Sequence, residues 1–427
     1  MCAYKPSQIK GFIAGHPSVA VRREGHRDLP LRLPDDTAIL PLPMPRLLIS
    51  CGEASGDLYG AELVRHLRER VDGLDVLGLG GDRLQAQGAS LFAHVRDLAV
   101  VGLLEVVSHL RDLRAVFRRV VEEAERHPPD AAVLVDYPDF NLRLARALHR
   151  RGIPVIYYVS PQLWAWRRGR IDDIRASVAR MLVIFPFEEP LYRDAGVPVT
   201  FVGHPLVSLV RPAADPLALR RELGLDPGRP VVALLPGSRP KEVAHNLPPI
   251  AASVDALAAA RPELQFVAAV AASLDPEVIR SGLGSRPVTI VHDRTHAALS
   301  AATAAIVASG TATVEAALLG APMVVVYRLS PWTYRLGRRF VRVPYYAMVN
   351  LIGGRRVVPE LIQSDFTAER VLAEILPLLD ETPARRQMLS DLGAVREKLG
   401  GPGASARAAD AVAPFLNGKT LDTSLVP

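Results

Sequence analysis

The sequence predicts an α/β protein made of two Rossmann-like domains, each a parallel sheet wrapped by helices, with the two sheets facing a central cleft. Three observations carry this reading. Short apolar runs alternate with helix-length amphipathic stretches along most of the chain. A Pro-bearing stretch, His204 to Asp215, interrupts the alternation and separates two series. At 427 residues the chain is also too long for one core and suits two domains plus extensions.

The first series opens with the apolar strand Arg46–Ser50. Strand-like runs follow at Asp75–Leu77, Ala131–Val135, Val155–Val159, Met181–Ile184 and Val199–Val202. Helices are expected to begin near Asp57, Asp82, Gly102, Asp139 and Arg168. The second series runs through Pro230–Leu235, Gln265–Val270, Val288–Val291, Ala304–Ala308 and Met323–Tyr327, and the apolar spacing turns helical from Ala368. The expected organisation is an extension (1–43), a first domain (44–208), a second domain (209–367) and a C-terminal helical segment and tail (368–427) that packs back on the first domain. Residues 1–43 mix Pro and charge without a sustained period, so they are expected to be disordered and dispensable.

Composition narrows the class of partner. Apolar residues make up 49% of the chain and aromatics 6%, which suits an ordinary soluble α/β protein. The net charge of +6 favours anionic partners. No basic segment interleaves with aromatics, so the reading excludes nucleic acid and favours nucleotide-sugar phosphates or an acidic membrane face. The apolar runs are all shorter than the roughly 18 residues a membrane-spanning helix needs. Cys2 and Cys51 are the only cysteines, too few for a disulfide framework or a metal cluster, and they place the chain in a reducing compartment.

The most informative segment is Ala304 to Arg328. The strand Ala304–Ala308 runs into Ser309-Gly310-Thr311-Ala312-Thr313, a helix follows, and Gly320-Ala321-Pro322 ends it before the next strand. Gly310 permits a tight turn, and the first free N–H groups of the helix then point above the strand ends. Those donors, the positive helix end and the hydroxyls of Ser309, Thr311 and Thr313 would together cradle a diphosphate. Glu315, one turn in on the face of Thr311, is placed to accept from ribose hydroxyls. The plainer alternative is a capped helix, but a capping box would need Ser or Thr three residues before Glu315, where Ala312 stands.

Other strand ends carry further candidates. Gly52, Glu53, Ser55, Gly56 and Asp57 follow the first strand, and their two carboxylates suit a hydroxyl-rich group better than a pyrophosphate. Asp57 alone also reads as a helix cap. Asp136-Tyr137-Pro138-Asp139-Phe140-Asn141 ends a strand, and Pro138 forces a turn that brings Asp139 and Asn141 to the exposed start of a helix, where Asp139 is an N-cap or, given its place between the halves, a general-base candidate. Trp164 and Trp166 beside Arg167 suit a sugar face or an apolar chain. Ser238-Arg239 follows the first strand of the second series, where Arg239 is a fork for a diphosphate and Glu242 either orients it or caps the helix. Asn350 and Gln363 are amides fit to serve the base or phosphates, a structural role for Gln363 being the alternative.

These strings, in this order from about Leu47 to Gln363, resemble the lipid-A-disaccharide synthase family: SCGEASGDLYGA, GLGG, VGLLEV, DYPDFN, YYVSPQLWAWR, FVGHPL, LLPGSRPKEV, ASGTATVEA, MVVVYR and VNLIGGRRVVPELIQ. The resemblance implies a GT-B glycosyltransferase. Its implied reaction moves 2,3-diacylglucosamine from UDP to the 6-hydroxyl of 2,3-diacylglucosamine 1-phosphate with inversion. By the same match Asp139 takes the catalytic-base position and the Gly52–Asp57 loop the acceptor side. Arg239, the Ser309–Thr313 loop, Glu315, Asn350 and Gln363 take the nucleotide side. No DxD-like carboxylate pair accompanies the phosphate loops, so neither metal nor other cofactor is expected. The rival reading within this architecture is a UDP-N-acetylglucosamine 2-epimerase-like isomerase, which needs no acceptor. Val100–Leu110 leading into Arg111, Arg114, Arg118 and Arg119 suggests seating on the anionic inner leaflet of the cytoplasmic membrane, the alternative being a buried helix with a solvated arginine face. The sequence leaves the oligomeric state open, a homodimer included.

Overall fold

The computed structural model describes residues 44–98, 106–163, 169–330 and 344–417, excepting the side chains of 97, 98 and 106–110. The extension 1–43, Trp164, Trp166 and the apolar part of the expected membrane-seating segment therefore lie outside the described residues.

Thirteen described strands form two all-parallel sheets. The first contains β1 (Arg46–Cys51), β2 (Asp75–Gly80), β3 (Ser90–His94), β4 (Ala131–Val135), β5 (Val155–Tyr158), β6 (Arg180–Val183) and β7 (Val199–Phe201), in the order β3-β2-β1-β4-β5-β6-β7. The second contains β8 (Val231–Leu235), β9 (Gln265–Val270), β10 (Val288–His292), β11 (Ala304–Ala308), β12 (Met323–Tyr327) and β13 (Glu360–Ile362), in the order β10-β9-β8-β11-β12-β13. Each sheet winds outward from its first strand and then restarts on that strand's other side. The reversals fall between β1 and β4 and between β8 and β11, and the loops beyond those strands' carboxyl ends are where such sheets bind ligands.

The sequence patterns explain the strands. In β1, Leu47, Ile49 and Cys51 join one buried apolar cluster while Leu48 joins another, so alternate residues feed opposite faces. β4 divides the same way, with Ala131, Val133 and Val135 on one face and Ala132 and Leu134 on the other. Burial on both faces is why these strands read as unbroken apolar runs. Two strands, β3 and β13, are absent from the sequence reading. Both lie at sheet edges, β13 has only three residues, and β3 has no buried residue. Neither therefore carries the apolar signature of a central strand.

The helices that matter for the site follow the inner strands: α1 (Ala54–Arg68), α2 (Asp82–Ala86), α3 (Val106–Arg126), α4 (Pro138–His149), α5 (Arg170–Ser177), α6 (Glu188–Asp194), α7 (Leu206–Leu209) and α8 (Pro216–Glu222). The second sheet carries α9 (Pro240–Ala260), α10 (Pro276–Leu283), α11 (Thr295–Ala301), α12 (Thr311–Leu318) and α13 (Met348–Gly353). Three helices close the described chain, α14 (Ala368–Leu379), α15 (Pro383–Lys398) and α16 (Ala404–Leu416). The last packs on α1, where Arg70 binds Asp410 at 2.6 Å, and Arg407 donates to the carbonyl of Val202 at 2.9 Å. No helix among the described residues is long and apolar enough to cross a membrane.

Candidate active site

Four loops at the two reversal points hold most of the candidate residues. Beyond β4, Asp136 and Tyr137 both take left-handed backbone, with φ of +49° and +50°. Such conformations cost about 1–3 kcal/mol each and persist only where the surroundings enforce them. Here the carbonyl of Asp136 accepts from the Tyr157 hydroxyl at 2.7 Å and from Asn141 Nδ2 at 2.8 Å. The same amide accepts the Ser50 hydroxyl at 2.7 Å, tying the end of β1 to the end of β4. Asn141 is thus fully buried and structural, a correction to its expected place at the helix's exposed end.

This clamped turn sets Asp139. Tyr137 stands at the N-cap position of α4 and Pro138 begins the helix, so Asp139 lies in the first turn. Its carboxylate is 66% exposed and paired with Arg170, the first residue of α5. The turn also holds a group the sequence reading did not single out. Burial, and secondarily the charge of Glu53, push the Asp136 carboxyl up to about 6, against the Tyr137 N–H and the charge of Arg239. Its aspartate identity gave no hint of this, because the shift comes from the turn and from a residue 83 positions away.

The β1 loop divides in function. Glu53 is exposed at the N-cap position of α1, Ser55 is half-exposed, and Gly56 is buried against Cys51 and Val135. Gly52 is buried beneath the Tyr137 ring. Asp57 turns inward instead. Its carboxylate accepts the N–H groups of Gly81 at 2.6 Å, Arg83 at 3.1 Å and Leu84 at 3.2 Å. It therefore satisfies free donors at the start of α2, a capping role beside the acceptor-side one expected of it.

In the second half, Gly310 precedes α12 with φ +151° and ψ −160°, a conformation that belongs to glycine. Of the three hydroxyls expected to face a diphosphate, two are engaged with backbone. Ser309 donates to the carbonyl of Tyr346 at 3.0 Å, and buried Thr313 donates to that of Gly310 at 2.8 Å. Thr311 is exposed and Ala312 half-exposed, so of the three expected hydroxyls Thr311 is the one turned to solvent. Glu315 accepts from, or pairs with, His296 of α11 at 3.2 Å, and that bond is the main cause raising the His296 pKa above its ordinary value. His296 went unread because a lone histidine after an expected strand is no pattern.

Arg239 follows β8 and reaches across to the first half. Its Nη2 lies 3.1 Å from both carboxylate oxygens of Glu53, while Nη1 lies 3.2 Å from Glu242. Ser238 beside it is exposed, its N–H 3.4 Å from Glu242. The loops beyond β1 and β8 thus touch.

Both expected amides are committed elsewhere. Asn350 accepts from the N–H groups of Val357 at 2.7 Å and Val358 at 2.9 Å, and donates to the Val358 carbonyl and to Glu360. Glu360 in turn accepts the N–H groups of Tyr346 and Ala347 ahead of α13. With its amide oriented to satisfy both ends, Gln363 donates to the Leu329 carbonyl at 3.1 Å and accepts its N–H at 3.0 Å. The four bonds of Asn350 fill its amide, whereas Gln363 keeps one N–H donor and one oxygen lone pair beyond its two bonds to Leu329.

The comparisons with known proteins agree with one another. A family profile described as lipid-A-disaccharide synthetase matches residues 47–412. A lipid-A-disaccharide synthase of Koribacter versatilis is 48% identical over 361 residues, covering 83% of this chain and 94% of that protein. The Myxococcus xanthus enzyme of the same name is 45% identical, covering 87% and 98%. Among solved structures, a UDP-GlcNAc 2-epimerase from Neisseria meningitidis bound to UDP-GlcNAc superposes with TM-score 0.62 at 12% identity, covering 86% of this chain and 99% of that one. A calicheamicin glycosyltransferase superposes with TM-score 0.57 at 19% identity, covering 88% and 100%. The structural likenesses establish the GT-B fold and no more. With the profile spanning both sheets and the sequence relatives matched nearly end to end, the chain belongs to the lipid-A-disaccharide synthase family of UDP-sugar glycosyltransferases.

Proposed function

We propose that the protein transfers 2,3-diacylglucosamine from its UDP derivative to the 6-hydroxyl of 2,3-diacylglucosamine 1-phosphate, with inversion. The products are a β-1,6-linked disaccharide 1-phosphate and UDP. The observation that carries this reading is the meeting of the two reversal points, where Arg239 of one half touches the β1 loop of the other. A carboxylate on the acceptor half and phosphate donors on the donor half are what a direct displacement needs.

In this reading Asp139 takes the proton from the acceptor hydroxyl as its oxygen attacks the anomeric carbon from the face opposite UDP. Arg170 and the turn at Asp136–Tyr137 position that carboxylate. The departing diphosphate gains negative charge, which Arg239 and the backbone N–H groups opening α12 stabilise. Glu315, held by His296, accepts from the ribose hydroxyls. Leaving-group stabilisation rests on these residues and calls for no metal. The exposed arginines 111, 114, 118 and 119 of α3, with Leu113, Val116 and Phe117 turned toward the core, give the acceptor domain a cationic face for the anionic inner leaflet.

The test is incubation with UDP-diacylglucosamine, with and without the acylated 1-phosphate acceptor, in EDTA. UDP and disaccharide should form only with acceptor present. Turnover of the donor without acceptor, or strict dependence on added Mg²⁺, would overturn the reading.

A further inference from the structure

Arg239 is asked to hold a diphosphate, yet its donors already have a protein partner from the other half of the molecule. One nitrogen, Nη2, bridges both oxygens of Glu53 at 3.1 Å each, and Nη1 faces Glu242 at 3.2 Å. A guanidinium binds an oxyanion best through two parallel N–H groups, and the bridged geometry is the weaker one. The pair is also wet, with side chains 63% and 44% exposed. Water screening leaves an exposed pair of this kind about 0–1 kcal/mol, so a diphosphate can displace it.

We propose that Glu53 competes with the donor's diphosphate for Arg239, so that nucleotide binding releases the Glu53 carboxylate to accept a hydrogen bond from an acceptor hydroxyl. The inference rests on the nucleotide reading of Arg239. Glu53 stands at the first residue before α1, on the acceptor half, and its charge is felt by the half-buried carboxyl of Asp136. Once Arg239 turns to phosphate, the two acid groups lose the cation that lies beside both. A sugar hydroxyl donating to Glu53 relieves that cost. Donor and acceptor binding are thereby coupled through one guanidinium, and the donor binds first.

The test is calorimetric titration with UDP of the wild type, Glu53→Gln, Glu242→Gln and Arg239→Ala, with thermal melts to confirm folding. Glu53→Gln should bind UDP about two- to fivefold more tightly, the reciprocal of a screened pair lost. Its KM for the acylated 1-phosphate acceptor should rise, a change of opposite sign that a merely structural role would not give. Glu242→Gln removes the same charge beside the same guanidinium, but from a partner in its own half that also orients Arg239, so it should tighten binding less than Glu53→Gln. Unchanged or weaker UDP binding in Glu53→Gln, equal tightening in both Gln variants, or an unchanged acceptor KM would overturn the proposal. Arg239→Ala separates this from the broader reading. If it binds UDP as the wild type does, Arg239 is no nucleotide residue and that reading fails; if it loses affinity while Glu53→Gln gains none, only the competition fails.

Discussion

The Tyr137 ring lies so close over Gly52 that a β-carbon there would stand 2.1 Å from its Cγ and 2.2 Å from its Cδ1. Real contacts of that length do not occur, so either the β1 loop or the Tyr137 turn must move in Gly52→Ala. Tyr137 immediately precedes the helix that carries Asp139, and the displacement reaches the proposed base. We expect a loss of about 1–3 kcal/mol of stability from the overpacking. A fall in kcat of at least about tenfold is also expected, because misplacing a reacting group by an ångström costs that much or more. The Tyr137 β-carbon would itself lie 2.6 Å away, so the whole side chain must go: Gly52→Ala/Tyr137→Gly should recover part of the stability. Additive losses in thermal melts would show that the two residues do not compete for one space.

Asp139→Asn keeps the shape of the side chain and removes its ability to take a proton. Asp139 is 66% exposed, so the fold should be unaffected. The expected result is a fall in kcat of about 10²–10⁴ with UDP affinity unchanged. Near-normal turnover would remove Asp139 from the reaction, and Asp136 at the same strand end would become the acid group to test.

How much of this was legible in advance follows from what each residue depends on. The central strands were readable because burial on both faces makes them apolar without interruption, as in Ala304–Ala308. Edge strands β3 and β13 lack that constraint and were missed. Loop positions at the strand ends were readable from glycine, proline and charge. The partners of their side chains were not. Asp57 looks equally fit for a ligand or a cap until α2 is brought beneath it, and Asn350 looks like a free amide until Val357, Val358 and Glu360 surround it. The Glu53–Arg239 contact joins residues of different sheets, and no local pattern encodes it.

Glu315 and His296 make a second pair whose role can be tested by binding. Glu315→Ala should weaken UDP by about 1–3 kcal/mol, because buried ribose hydroxyls lose a charged acceptor. His296→Ala leaves that acceptor in place and removes only its anchor, so a smaller loss is expected. Calorimetry giving the larger loss to His296→Ala would make the histidine the ligand contact and Glu315 its support.

The arginine face of α3 predicts salt-sensitive attachment to anionic vesicles. Co-sedimentation with phosphatidylglycerol-containing liposomes should fall as salt rises, and fall again when Arg111, Arg114, Arg118 and Arg119 are replaced by Gln, at about 1 kcal/mol per charge near the surface. Attachment indifferent to both changes would place the contact on another face.

Asp136 makes a prediction about stability and pH. Its carboxyl is pushed up from the ordinary 3.8 to about 6, chiefly by burial and next by Glu53, so folding favours its protonated form. The stabilisation this gives is present below the unfolded value and is lost as pH rises through the folded one. Above that range the wild type keeps an ionised carboxylate in a half-buried turn, at a cost on the order of 1–3 kcal/mol. Asp136→Asn removes that cost. Near pH 4 the variant and the wild type should melt together. The variant should gain steadily between pH 4 and about 6 and hold a constant advantage from about pH 7 upward. An advantage that does not change with pH would mean that the amide helps through hydrogen bonding alone, and a variant less stable at pH 8 would mean that the charged form is the one the turn is built to hold.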